Sequence, residues 1–183
     1  MSNAPSVQRI AKKAEVYYRR KEYHDAARTY REASQAFALE GHELEAAEMA
    51  NNSSVAYLSA GEPESALEAV EGTAEIFAQA DDMRRQGMAL GNLAAALDAL
   101  NRLDEAAQAY QQSAELLLQA GEEKLYADAI RALSSLQLRS GQAIQALVTM
   151  QAGLEGVRRP TPGQNIARKV LRIPFDMIKK DKP

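Results

Sequence analysis

Cysteine and tryptophan are absent from this 183-residue chain, and it holds only three phenylalanines, seven tyrosines and two histidines. Without cysteine there are no disulfides, no thiolate nucleophile and no thiolate metal site. His24 and His42 both fall near predicted helix starts, and neither sits in the spacing of a catalytic dyad or a metal cluster. The carboxylates at Glu43, Glu45 and Glu48, or Asp81 and Asp82, lack convergent ligands and read as solvated helix ends. No glycine-rich loop that could cradle a phosphate is present. The expectation is therefore a protein that is not an enzyme and uses no cofactor or metal. No run approaches the roughly 18 apolar residues of a membrane span. The leading MSNAPSVQRIAKKAE lacks the apolar core of a signal peptide. A soluble, cytoplasmic protein is the corresponding expectation.

What the chain does have is alanine at a fixed step. Ala26, Ala66, Ala106 and Ala146 are each forty residues apart. Lys21, Gly61, Asn101 and Gly141 keep that step before them. Tyr30, Val70, Tyr110 and Met150, then Phe37, Phe77, Leu117 and Val157, keep it after them. Self-similarity of this length marks a repeat array, in which each unit buries its apolar face by stacking on its neighbours. The 46% hydrophobic content comes largely from alanine and leucine, which favours helix over strand.

Within a unit the pattern predicts two antiparallel helices. Leu90, Leu93, Ala94 and Leu97 fall at i, i+3, i+4 and i+7, one helical face. Asn101 tolerates the left-handed conformation that closes a helix, and Ala106, Ala109, Tyr110, Ser113, Leu116 and Leu117 give a second face. So short a turn forces the two helices to pack side by side in opposite directions. In the second unit Gly61 and Pro63 punctuate the same turn. Glu40-Gly41, Ala80-Asp81 and Ala120-Gly121 separate the units, each followed by acidic residues suited to a helix N-terminus. Eight helices in four pairs are predicted, over residues 6–20, 23–39, 43–60, 63–79, 82–100, 103–119, 122–140 and 142–157. Gly87 and Gly91 lie one turn apart inside the fifth of these, which points to close helix contact or to room for a ligand.

The segments KEYHDAARTYREASQAF, GEPESALEAVEGTAEIF, NRLDEAAQAYQQSAELL and GQAIQALVTMQAGLEGV resemble the second half of tetratricopeptide repeats (TPR): a turn residue, a bulky residue, alanine, an aromatic and then a small residue. GNLAAALDALNRLDEAAQAY is the fullest match. The forty-residue step is similar to the subclass whose helices are longer by nearly a turn. The fourth unit departs from the pattern, with Gln137 and Met150 where tyrosine-like residues are expected. The fold class implied is all-α, a right-handed superhelical solenoid of four antiparallel helix pairs, with the repeat domain over residues 1–157 and repeats near 6–39, 43–79, 82–119 and 122–157.

The resemblance also implies a non-enzymatic adaptor or scaffold that holds a peptide or a partner helix in a concave groove lined by the first helix of each pair. Alignment of the units puts Asn52 and Asn92 at one equivalent position on that face. An asparagine amide both donates and accepts, so such a pair suits the backbone of an extended peptide. The opposing reading is that these amides are simply exposed or bond neighbouring helices. Lys12 and Ala132 occupy the position in the other two units. Glu48, Asn51, Val55, Leu58, Gly91, Ala95, Asp98, Arg131, Ser135 and Arg139 are the other candidate contacts of the groove.

Charge is unevenly spread within the net −3. Residues 1–24 carry Arg9, Lys12, Lys13, Arg19, Arg20 and Lys21 against Glu15 and Glu22. Residues 158–183 carry Arg158, Arg159, Arg168, Lys169, Arg172, Lys179, Lys180 and Lys182 against Asp176 and Asp181. The centre is acidic, which would repel nucleic acid, and no aromatic platform for bases accompanies the basic ends. After the breakers of 159–163, Ile166, Ala167, Val170, Leu171 and Ile173 share one side of a predicted short helix, opposite Arg168, Lys169 and Arg172. Pro174 ends or kinks it, and Phe175 adds a further apolar group. Three roles stay open for this amphipathic basic extension: a cap on the fourth pair or self-docking, binding to a partner, and contact with an anionic membrane. The alternative to the adaptor reading is accordingly a structural subunit or homo-oligomer assembled through the tail, and after that a peripheral membrane adaptor.

Overall fold

A computed structural model describes residues 6–156, which are helical apart from short turns. The predictions made for the basic C-terminal extension, including Ile166, Arg168, Lys169, Val170, Arg172, Ile173 and Phe175, lie outside the described residues. The helices are α1 (Val7–Arg19), α2 (Tyr23–Leu39), α3 (Glu43–Ala60), α4 (Pro63–Val70), α5 (Thr73–Gln79), α6 (Met83–Ala99), α7 (Leu103–Gln119), α8 (Glu123–Arg139) and α9 (Ala143–Gly156). Outside the second unit, they begin and end within one residue of the predicted spans.

One turn is used seven times. Lys21, Gly41, Gly61, Asp81, Asn101, Gly121 and Gly141 all have positive φ, and they are spaced by twenty residues. At each, the next residue's N–H reaches back to the carbonyl five positions earlier: Glu22 to Tyr17, His42 to Phe37, Glu62 to Tyr57, Asp82 to Phe77, Arg102 to Leu97, Glu122 to Leu117 and Gln142 to Gln137. This is the closure that satisfies the last carbonyls of a helix and reverses the chain. The turns inside units and the borders between them are thus one structure, and the forty-residue step is twice a twenty-residue step. Tertiary bonds carry the same symmetry. The Ser53 hydroxyl donates to the Ala27 carbonyl at 2.9 Å, and sixty residues on, Ser113 donates to Gly87 at 2.7 Å. His24 pairs with Glu62, and sixty residues on, Arg84 pairs with Glu122.

The second unit differs from the prediction. Its second helix, expected to run unbroken over 63–79, is divided into α4 and α5 at Glu71-Gly72. Glu71 (φ −57°, ψ 133°) and Gly72 (φ 77°, ψ −10°) form a type II turn, which requires positive φ at its second central residue. Arg31-Glu32 and Gln111-Gln112 occupy the equivalent sites in α2 and α7, where helix formers keep the helix whole. The Thr73 hydroxyl covers the Val70 carbonyl released by the break, at 2.7 Å.

Packing follows chain order. Apart from the α4–α5 break, each helix lies against the next across a turn, α3 also meets α5 and α6, and α6 meets α4 and α8. Ala26, Ala66, Ala106 and Ala146 are all 0% exposed, so the residue that announces the repeat is also where backbones meet. Gly87 faces Leu117 and Gly91 faces Ser113, an antiparallel register of α6 on α7. A Cβ on Gly87 would stand 2.8 Å from the Leu117 Cγ, and one on Gly91 would stand 3.1 Å from the Ser113 Oγ. The paired glycines therefore serve close helix contact. No described helix is long and apolar enough to cross a membrane.

Candidate functional site

The first helices of three successive units, α3, α6 and α8, lie side by side, and their facing residues bond across the units. On α3, Glu48, Asn51, Asn52 and Val55 occupy one face at i, i+3, i+4 and i+7. The Asn51 amide donates to the Ala47 carbonyl at 3.2 Å, and its carbonyl accepts from Asn92 Nδ2 at 3.1 Å, tying α3 to α6. One turn away Glu48 meets Arg85 at 3.4 Å. Between α6 and α8, Arg139 Nη2 reaches both Asp98 oxygens, at 2.8 and 2.7 Å.

Arg85 organises the α3 side. Its Nε donates to Asp82 Oδ2 at 2.6 Å, and its guanidinium stands over the Phe77 ring at 5.2 Å. Asp82 is the N-cap of α6 and accepts from the Arg85 backbone N–H at 2.8 Å, the only side-chain N-cap bond among α1–α8. That backbone bond, then the side-chain bond to Arg85, hold its carboxyl below the usual carboxylate range. The Arg85 guanidinium is raised in turn by its bond to Asp82. On the α8 side, burial first and Asp98 second push the Tyr110 phenol up to about 12, with Arg139 opposing.

Two cavities open along this face. One of about 190 Å³ lies between α3 and α6 over α5, lined by residues that include Glu48, Asn51, Asn52, Val55 and Asn92 of the predicted set, with Phe77, Arg84, Arg85 and Met88. The other, of about 230 Å³, lies between α6 and α8 over α7, with Met88, Gly91, Asn92, Leu117, Leu125 and Asp128 in its lining. The two are equivalent by the repeat: Glu48, Asn51, Asn52, Phe77, Arg85 and Met88 correspond to Met88, Gly91, Asn92, Leu117, Leu125 and Asp128. One niche carries a Glu–Arg pair and an amide where the next carries methionine, leucine and a bare glycine. Of these paired positions only 52 and 92 keep the same residue, asparagine, while Met88 and Asn92 line both cavities.

The sequence-predicted residues thus fall into groups. Five of them meet in the first cavity. Leu58 instead packs against the core cluster of Ala26, Tyr30 and Tyr57. Asp98 and Arg139 pair with each other, and Arg131 pairs with Asp128 along its own helix at 2.9 Å. Asn52 makes no side-chain hydrogen bond among the described residues, whereas the Asn92 amide is donated to Asn51. Asn92 thus bonds a neighbouring helix, as the opposing reading has it, and the half-buried, unbonded Asn52 is compatible with either reading. Met88, Arg85 and Leu125 were missed, although Met88 stands forty residues after Glu48 and Leu125 forty after Arg85. Among the described residues, no group of three His, Asp or Glu could hold a metal ion.

Comparison with solved structures identifies the class of fold. A Podosopora anserina protein described as a kinesin light chain, with nearly identical TPR-like repeats, superposes with a TM-score of 0.71 at 15% identity, over 98% of this chain and 96% of that one. A point variant of the same protein gives a TM-score of 0.72 at 14% identity, over the same shares. The chain has a TPR-like helical repeat fold. No family model matches the chain, and no curated protein matches it.

Proposed function

We propose that the protein is an interaction module that holds an extended segment of a partner along the face of α3, α6 and α8. In this reading the helix pairs wind as a right-handed superhelix with that face concave, as in the long-step TPR subclass. The single observation that carries the proposal is the pair of repeat-equivalent cavities sharing one asparagine. Neighbouring helix axes stand about 8–10 Å apart, and an extended chain advances about 3.3 Å per residue. A partner in polyproline-II geometry, with three residues per turn and about 3.1 Å per residue, presents two side chains three residues apart on one side and about 9 Å apart, so that they would enter successive niches. The first, walled by Glu48, Arg85 and Asn51 together with Val55, Phe77 and Met88, suits a side chain with an apolar body and a polar end. The second, walled by Met88, Leu117 and Leu125, suits an aliphatic or aromatic side chain. Asn52, whose amide is unused among the described residues, is placed to bond the partner's main chain.

The test is selection of peptides on the full chain, followed by affinity measurement with Asn52→Ala. Because the Asn52 amide bonds nothing among the described residues, the substitution is expected to leave unfolding unchanged while weakening a selected peptide by about tenfold, the weight of a lost hydrogen bond. Unchanged affinity, or selection of peptides without an apolar anchor, would overturn the reading.

A further inference from the structure

The last described helix of the array is left uncovered by the described residues on the side where every earlier unit is covered. Tyr110 on α7 is 8% exposed because α8 lies over it, whereas its repeat equivalent on α9, Met150, is 40% exposed. Leu147 beside it is also exposed, as are Val148 and Ile144 (79%) on the adjoining flank. This is a run of large apolar side chains at helical spacing on one fourteen-residue element. In α7 the sites equivalent to Ile144 and Val148 are Asp104 and Gln108, polar residues.

The chain carries a segment whose register matches that face. α8 seats Tyr126, Ile130 and Leu133 in the clusters it shares with α7. Forty residues on from these are Ile166, Val170 and Ile173. All three are apolar and share one face at helical spacing, with Arg168, Lys169 and Arg172 on the other side. The linker is different from the turns of the array. At the site equivalent to Glu122 stands Pro162, which has no N–H to close the repeated turn and which drives Thr161 out of the left-handed region. Pro174 ends the matched stretch after Ile173.

We propose that residues 165–173 dock on the exposed face of α9 of the same molecule as a fifth, unpaired first helix. Ile166, Val170 and Ile173 lie over Leu147 and Met150, and the basic side faces water. The segment is too short to be helical alone, so it gains its order from the contact. A linker of a few residues from Gly156 gives an effective concentration near millimolar, which favours the chain's own segment over a second copy.

The absence of cysteine allows a direct test on the full-length chain. Met150→Cys supplies a single thiol on the face to be covered, where the equivalent Tyr110 is buried under α8, and its alkylation rate is compared with and without Ile166→Asp and Val170→Asp. Hydrogen exchange along α9 is followed in the same proteins, with light scattering at several concentrations. Docking predicts monomers throughout, with alkylation and α9 exchange about tenfold faster in the tail variants and α2–α7 unchanged. Equal rates in both proteins would overturn the proposal, as would protection that grows with protein concentration alongside a dimer. The second result would assign the face to another copy. The tail changes lie outside the described helices, so retained protection of α2–α7 separates loss of docking from loss of fold.

Discussion

Single side chains show where the repeat is well made and where it is not. Ser54 is buried with a hydroxyl that has no partner among the described residues, while alanine fills the equivalent sites 14 and 94 at full burial. Ser54→Ala is expected to raise unfolding free energy by about 1 kcal/mol in urea titrations, since it removes an unpaired buried polar group. Gln137 likewise buries an unpartnered carbonyl oxygen where Leu97 stands one unit earlier. Gln137→Leu is expected to add about 1–2 kcal/mol by the same measurement. Tyr110 gives a pH dependence. Its folded pKa of about 12 lies above the ordinary value near 10, so the neutral phenol is favoured in the fold. The stability it contributes is complete below about pH 10 and lost as pH rises toward about 12. Denaturant titrations between about pH 9 and 12 should show a shallower alkaline loss for Tyr110→Phe, which removes the titrating group.

At the scale of the element, most of the fold was legible because the punctuation is local. An αL residue and the alanine that follows it within about two turns mark every pair, and neither depends on distant contacts. The break between α4 and α5 was not foreseen. A glycine within a helical pattern is ordinarily tolerated, and whether Gly72 bends the chain depends on how Thr73 and Val70 seat against α3 and α6. The twenty-residue step was also hidden, because first and second helices share their turn geometry while their side-chain patterns differ. The α6–α7 contact carries a sharp prediction. Gly87→Val places carbon against Leu117 and the Ser113 carbonyl, and is expected to cost about 2–3 kcal/mol by overpacking, read from thermal or urea unfolding.

Across the molecule, contacts run between helices near in sequence. Stability in such an array is close to a sum of unit and neighbour terms, so ends open more readily than the middle. Native-state hydrogen exchange is expected to rank α3–α8 as most protected, with α1 fraying first. Uniform protection along the chain would show a single cooperative unit instead. The candidate groove belongs to this scale. Five predicted residues met in one cavity because the forty-residue step, combined with a helix face, fixes which side chains share a side. The rest was not legible, because pairing across units is set by helix offset. Arg139 reaches Asp98 and Asn92 reaches Asn51, each bridging forty-one residues rather than forty.

Periodicity and turn chemistry alone determined that this chain is helical, where its helices end outside the second unit and that the alanines at the forty-residue step are buried, because those properties are decided within a few residues of each position. The docking of one helix on the next decided the rest. It left the Asn52 amide unused among the described residues and engaged that of Asn92, put a Glu–Arg pair in one niche where the next has methionine and leucine, and left the outer face of α9 uncovered by the described residues. Each of those outcomes depends on which side chain arrives from another helix, and no single segment contains that information.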